Sequence, residues 1–103
     1  MTEITIKLQG PDLASRRTAA IERQKLLGYT ASRNKVVVDL GNVVSLSYSY
    51  ADELFGVLTA IKGWDWLTKN VSTHGANEHV LRVIAEVINR RLKETGQPVK
   101  RSA

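Results

Sequence analysis

Few side chains in this sequence belong to the types that carry out covalent or metal chemistry. A serine nucleophile needs a base in reach, and both histidines, His74 and His79, fall near the start of the last helical segment. They stand five residues apart across a loop-to-helix junction, which is not the i, i+4 spacing that turns two imidazoles toward one zinc ion. No cysteine is present to complete such a site or to supply a thiolate. Neither common glycine-rich phosphate loop occurs. Carboxylates are scattered, and the best placed is Asp39, which ends an apolar run just before Gly41-Asn42. Ligands of α/β proteins gather at the C-terminal ends of strands, so Asp39 and Gly41 mark a candidate ligand site there. A turn aspartate satisfying backbone amides explains the same residues. The pattern predicts a non-enzymatic protein with no metal and no cofactor, which works by binding another macromolecule.

The chain has 103 residues, 43% of them hydrophobic and 24% charged, as expected of one globular domain with a modest core. We read residues 1–95 as that domain and 96–103 as a flexible basic tail. Nothing at the N-terminus resembles the apolar core of a signal peptide, and no apolar run approaches the roughly 18 residues of a membrane span. With no cysteine, the expectation is a cytoplasmic protein.

The formal net charge is +5, which favours acidic partners. Five of the positive residues fall in the last fourteen: Arg90, Arg91, Lys93, Lys100 and Arg101. A second group, Arg16, Arg17, Arg23, Lys25, Arg33 and Lys35, lies around the first helix and the loop after it. Of these clusters, Arg16, Arg17, Arg90 and Arg91 are the candidate nucleic-acid contacts. Only Tyr29 is interleaved with the first group, so a stacking platform for single strands is missing.

Hydrophobic periodicity predicts the elements that hold these residues. Residues 3–9 alternate (Ile4, Ile6, Leu8 against Glu3, Thr5, Lys7) as a half-buried edge strand does. Asp12 is expected to cap a helix over 13–27 that uses Leu13, Ala20, Ile21 and Leu27, with Gly28 as its C-cap. Lys35-Val36-Val37-Val38-Asp39-Leu40 reads as a strand buried on both faces, and Val43, Val44 and Leu46 as an apolar ledge. Ala51, Leu54, Phe55, Leu58 and Ile61 give a second helix over 50–62, ended by Gly63. Trp64 and Trp66 are placed on a loop or short strand with both rings on one side, packed against the last helix. Residues 69–74 form a weak strand. A helix over 77–94, capped by Asn77, carries Val80, Val83, Ile84, Val87, Ile88 and Leu92. The order is β-α-β-α-β-α, an α/β fold with a small, mainly parallel sheet of three to four strands packed by helices. So thin a sheet invites extension by a partner or a homodimer mate.

The most informative segment runs from Val36 to Leu58. Ser49 with Asp52 three residues on is a capping-box pattern, and Asp52 and Glu53 complement the positive end of the helix dipole. Tyr48 and Tyr50 flank the serine and are expected near the strand-to-helix turn, partly exposed, as tyrosines at binding hot spots are; the alternative packs one of them on the sheet edge. The strand ending in Asp39, followed by Ser49-Tyr50-Ala51-Asp52-Glu53-Leu54-Phe55-Gly56, resembles the STAS-like domains of unknown function and, more distantly, the STAS domain of anti-anti-sigma factors.

That resemblance implies a STAS-like regulatory module that docks a protein partner, such as a GHKL-type ATPase or kinase, through Ser47, Tyr48, Ser49, Tyr50, Asp52, Glu53 and the helix that follows. It also implies Ser49 as a phosphorylation site. The anti-anti-sigma pattern Asp-Ser-Ser-Gly is here Ser47-Tyr48-Ser49-Tyr50, without the aspartate and the glycine. A phosphate at Ser49 adds about −2 charge, which the helix dipole favours and Asp52 and Glu53 oppose. The expected effect of such a switch is to repel a partner rather than to order the loop. The alternative function is that of a basic, nucleic-acid-associated protein.

Overall fold

The computed structural model describes residues 2–96 of the chain. Strand β1 (Glu3–Lys7), a two-residue strand β2 (Asp12–Leu13) and helix α1 (Arg16–Ala31) lead to β3 (Lys35–Asp39) and a second short strand β4 (Ser45–Leu46). One long helical passage follows, made of α2 (Tyr48–Ala51), a π-helical stretch (Asp52–Gly56) and α3 (Val57–Lys62). Helix α4 (Trp64–Asn70), strand β5 (Val71–His74) and helix α5 (Glu78–Glu94) complete the fold. The chain is α/β, as its periodicity predicts. Beyond Gly96 the expected basic tail, with Lys100 and Arg101, lies outside the described residues.

The main sheet has the order β1-β3-β5 with every pair parallel, and β2 pairs with β4 in a separate parallel ribbon. The register aligns Ile4, Val36 and Val71 in one row and Ile6, Val38 and Thr73 in the next apolar-side row. Both crossovers return to the next strand in line, so right-handed connections put their helices on a single face. That face carries Val36 and Val38, each 1% exposed. The other presents Glu3, Thr5, Lys7, Lys35, Ser72 and His74, all exposed, with Val37 and Asp39 half-buried among them. Burial of β3 on both faces is therefore corrected. Its uninterrupted valines reflect one fully covered face and a β-branched residue on the open one.

Local chemistry sets several boundaries away from their predicted places. Ser15, not Asp12, caps α1, its hydroxyl accepting from the Thr18 amide at 3.3 Å. Asp12 and Leu13 instead pair in β2 with Ser45 and Leu46. Gly28 sits inside α1, which continues to Ala31 and gives way at Arg33 with φ +64°. Ala19 and Leu26 are the buried residues of α1, whereas Ile21 is exposed. Gly63, at φ +88°, ends α3 as expected, and Ile61 before it is exposed rather than core. Trp64 and Trp66 lie on helix α4, where a two-residue step separates their directions by about 200°. They do not share one side, although both pack partly buried against the core. Asn77 caps α5 as expected, accepting from the Val80 amide at 2.8 Å.

Candidate functional site

The corner before the long helical passage is held by Ser47. Its hydroxyl accepts from the Tyr50 amide at 3.0 Å and donates to the Ala14 carbonyl at 3.1 Å, while its own amide donates to Leu13. One residue thus caps the helix and ties it to the β2–β4 ribbon. The cap falls two residues earlier than the Ser49–Asp52 spacing suggested, because a hydroxyl at Ser47 reaches the amide three positions on in the same way. The helix starts at Tyr48, so the four residues after the cap point around its first turn. Tyr50 and Ala51 go inward, at 1% and 0% exposed. Tyr48 goes outward, 46% exposed, with its hydroxyl donating to Glu86 of α5. That bond holds the Tyr48 hydroxyl above its ordinary pKa.

Tyr50 is therefore a core residue and not a contact residue, a correction to the expected partly exposed pair. Burial pushes its hydroxyl up to about 12. Ser49 lies half-buried between the two tyrosines, and among the described residues no hydrogen bond engages its hydroxyl.

Asp52 and Glu53 form an ionic hinge to the flanking helices. Arg91 of α5 grips Asp52 with two parallel bonds, Nε to Oδ1 at 2.9 Å and NH2 to Oδ2 at 2.7 Å. This bidentate geometry is the strongest an arginine makes with a carboxylate. Arg23 of α1 bonds the Glu53 carboxylate at 2.6 Å and also its backbone carbonyl. Arg16 reaches both acids at 3.3 Å. The hydrogen bond from Arg91 is the main cause that holds the Asp52 carboxyl below its usual range, and the bond from Arg23 does the same for Glu53.

Gly56, four residues after Asp52, makes this arrangement fit. A Cβ at Gly56 would lie 2.3 Å from Asp52 Oδ1 and 3.2 Å from Arg91 Cγ. The Asp-Glu-Leu-Phe-Gly run is thus a packing motif: Leu54 and Phe55 go to the core, the acids to two helices, and the glycine leaves room for the carboxylate. Its π-helical form inserts an extra residue per turn. That turn makes the most intimate contacts with α1 and α5. In the sequence Arg23 stands out only as one of a basic group and Gly56 only as the end of a motif; the acid-to-glycine spacing of four was the available signal of the role they share.

A polar cavity of about 230 Å³ opens beside the corner, lined by Arg16, Tyr48, Ser49, Asp52, Val87, Arg90, Arg91 and Glu94. The structure here brings together residues that the sequence placed in two separate groups. Three of the four candidate nucleic-acid arginines border the proposed partner-binding turn, while Arg17 is exposed on α1 and does not line the cavity. Arg16 and Arg91 are tied to acids, so this basic charge is interleaved with negative charge. Glu53 and Tyr50 do not line the cavity.

At the C-terminal end of the sheet the chain closes on itself. Asp39 Oδ1 accepts from the Gly41 amide at 2.9 Å. A Cβ on Gly75, which has φ +76°, would meet the Gly41 Cα at 3.0 Å. A Cβ on Gly10 would meet the Asn42 carbonyl at 2.4 Å. Three loops touch there through backbone, and Asp39 spends an oxygen on its own turn. His74 and His79 are exposed on β5 and α5, and among the described residues no three His, Asp or Glu side chains gather as metal ligands. No helix among them is long and apolar enough to cross a membrane.

No protein-family model, curated protein or solved structure matches the chain.

Proposed function

We propose that this chain is a non-enzymatic regulatory module that binds a protein partner through the outward side of the Ser47–Glu53 corner. The observation that carries the reading is a division of labour within one helical turn. Tyr50 and Ala51 anchor the turn in the core, Ser47 and Asp52 brace it, Tyr48 faces outward and Ser49 lies half-buried at the cavity beside it. A rigid backbone presenting a tyrosine beside a polar cavity is what a docking surface needs, since little ordering entropy remains to be lost on association. The resemblance of Ser49–Gly56 to STAS-like domains supports the same reading, with a GHKL-type ATPase or kinase as the expected class of partner and a cytoplasmic site of action.

Ser49 is the residue through which such binding would be regulated. Its hydroxyl is uncommitted, and the acids expected to oppose a phosphate there are neutralised by Arg91, Arg23 and Arg16. A phosphate on Ser49 would enter a cavity bordered by three arginines, fill it, and change the surface offered to the partner.

The test is affinity capture from cells of the source organism, followed by titration of the purified partner against the native chain and the Tyr48→Ala and Ser49→Asp variants. The reading predicts a partner whose binding weakens at least about tenfold, some 1.4 kcal/mol, in both variants. Partners that bind the variants as well as the native chain contradict it.

A further inference from the structure

The cavity beside Ser49 holds more than a rim for protein contact. Three arginines, Arg16, Arg90 and Arg91, line a single polar space of about 230 Å³ together with Ser49 and Tyr48. Two acids line it as well, Asp52 and Glu94, and Glu94 lies in the field of Arg91. Asp52 is already consumed, since Arg91 holds both of its oxygens and Arg16 adds a contact at 3.3 Å. These bonds leave Arg16 with a free edge, because a single nitrogen makes its contacts to the acids.

Arg90 is different from its neighbours. It is exposed, borders the cavity, and makes no hydrogen bond or ion pair among the described residues. The site thus combines a cation without a partner, a cation held in place by acids, and a hydroxyl with no bond of its own. Arginine forks facing one space from different helices suit an acceptor with oxygens in several directions. A phosphoryl group has three such oxygens and a carboxylate only two.

We propose that this cavity receives a phosphoryl group carried by another molecule, held by Arg90, the free edge of Arg16 and the Ser49 hydroxyl. The proposal deepens the reading of this corner as a binding surface by naming what the partner or ligand brings to it. The group comes either from a small free phosphate compound or from a phosphorylated side chain, and the two sources present the same oxygens. Tyr48 closes one side, so a phosphorylated residue on a partner segment would bring its chain across the exposed ring.

The experiment is a titration of the ¹⁵N-labelled chain, followed by NMR, at about pH 7.5, where a phosphate is mostly dianionic. One arm adds sodium phosphate, a second adds a short phosphoserine peptide flanked by glycines, and sodium chloride at matched ionic strength is the control. Saturable shifts of the Ser49 amide and the Arg90 Nε–H with either phosphate, and not with chloride, are expected. Tighter binding of the peptide assigns the group to a partner segment, and equal or tighter binding of inorganic phosphate assigns it to a small ligand. In Arg90→Ala, a surface change that breaks no bond in the fold, affinity should drop by about fivefold or more, the loss of one charge-assisted contact. Arg17→Ala, outside the cavity, should bind as the native chain does. Shifts that match chloride in both arms, or an Arg90→Ala variant that binds unchanged, overturn the proposal. Capture of a protein partner can succeed even then, so failure here is separable from failure of the docking reading.

Discussion

The C-terminal end of the sheet and the Ser47–Glu53 corner are both places where an α/β fold can hold a ligand, yet they are built in opposite ways. At the sheet end, Gly10, Gly41 and Gly75 let three loops approach through backbone, and Asp39 turns its carboxylate onto the Gly41 amide. The carboxylate best placed to meet a ligand there is spent on its own turn. At the corner, polar groups that brace the fold stand beside groups that do not: Ser47, Asp52 and Glu53 are fully bonded, and Ser49 and Arg90 are not. A site left open after folding has finished with its neighbours is the better candidate for function. Position at a strand end is a weaker guide than the state of the hydrogen bonds.

The contrast can be broken most sharply within the corner itself. Tyr50→Ala empties a fully buried position and should cost about 4 kcal/mol, as large aromatic-to-alanine changes in cores do. Tyr48→Ala should cost under about 1 kcal/mol, as surface changes usually do. Urea denaturation of the two variants measures both, and similar losses would show that the corner has no inward and outward side. At the sheet end, Gly75→Ala forces a side chain into a left-handed backbone and against Gly41, so a loss of about 2–3 kcal/mol is expected. A change near zero there would mean that the three loops can separate and that the end is not closed.

Arg91→Ala comes next in size. It strips a mostly buried carboxylate of its bidentate partner, at about 2 kcal/mol after allowance for partial exposure. The same pair sets the acid limb of stability. Asp52 and Glu53 are held below their ordinary range in the folded chain, so the unfolded chain takes up protons first as pH falls. Their contribution is complete above about pH 5 and fades below about pH 4. Denaturation midpoints between pH 3 and 7 should therefore fall less steeply toward acid in Arg91→Ala than in the native chain. The smallest effect is alkaline. With the Tyr50 hydroxyl raised to about 12, the unfolded chain ionises it first, near pH 10, and stability should decline from there upward. Tyr50→Phe should remove that part of the decline while leaving the acid limb intact.

Much of this architecture was legible in the sequence. Leu8 at the end of the β1 alternation, Val36 and Val38 of β3 and the stripe of α5 lie in the core as expected, with Ile6 partly buried against it, because burial dictates residue type along a periodic element. Boundaries failed where short polar contacts compete. Ser15 displaced Asp12 as a cap, and Ser47 displaced Ser49, since each side-chain oxygen could reach an amide and only the tertiary ties of β2 to β4 decide which does. Helix α4 was missed because seven residues with two tryptophans carry too few turns to show a period. The candidate site was half legible: its residues were named, but as two groups with separate roles. Their convergence depends on how α1 and α5 clasp the π-helical turn, and no spacing along the chain encodes that distance.

Photo-crosslinking from two positions separates a functional corner from a functional sheet end. A benzophenone side chain replaces Tyr48 in one version of the protein and His74 in another, and each is irradiated with the captured partner. A covalent adduct is expected from position 48 and none from position 74. An adduct formed only from position 74 would move function to the sheet end and leave the corner a structural brace.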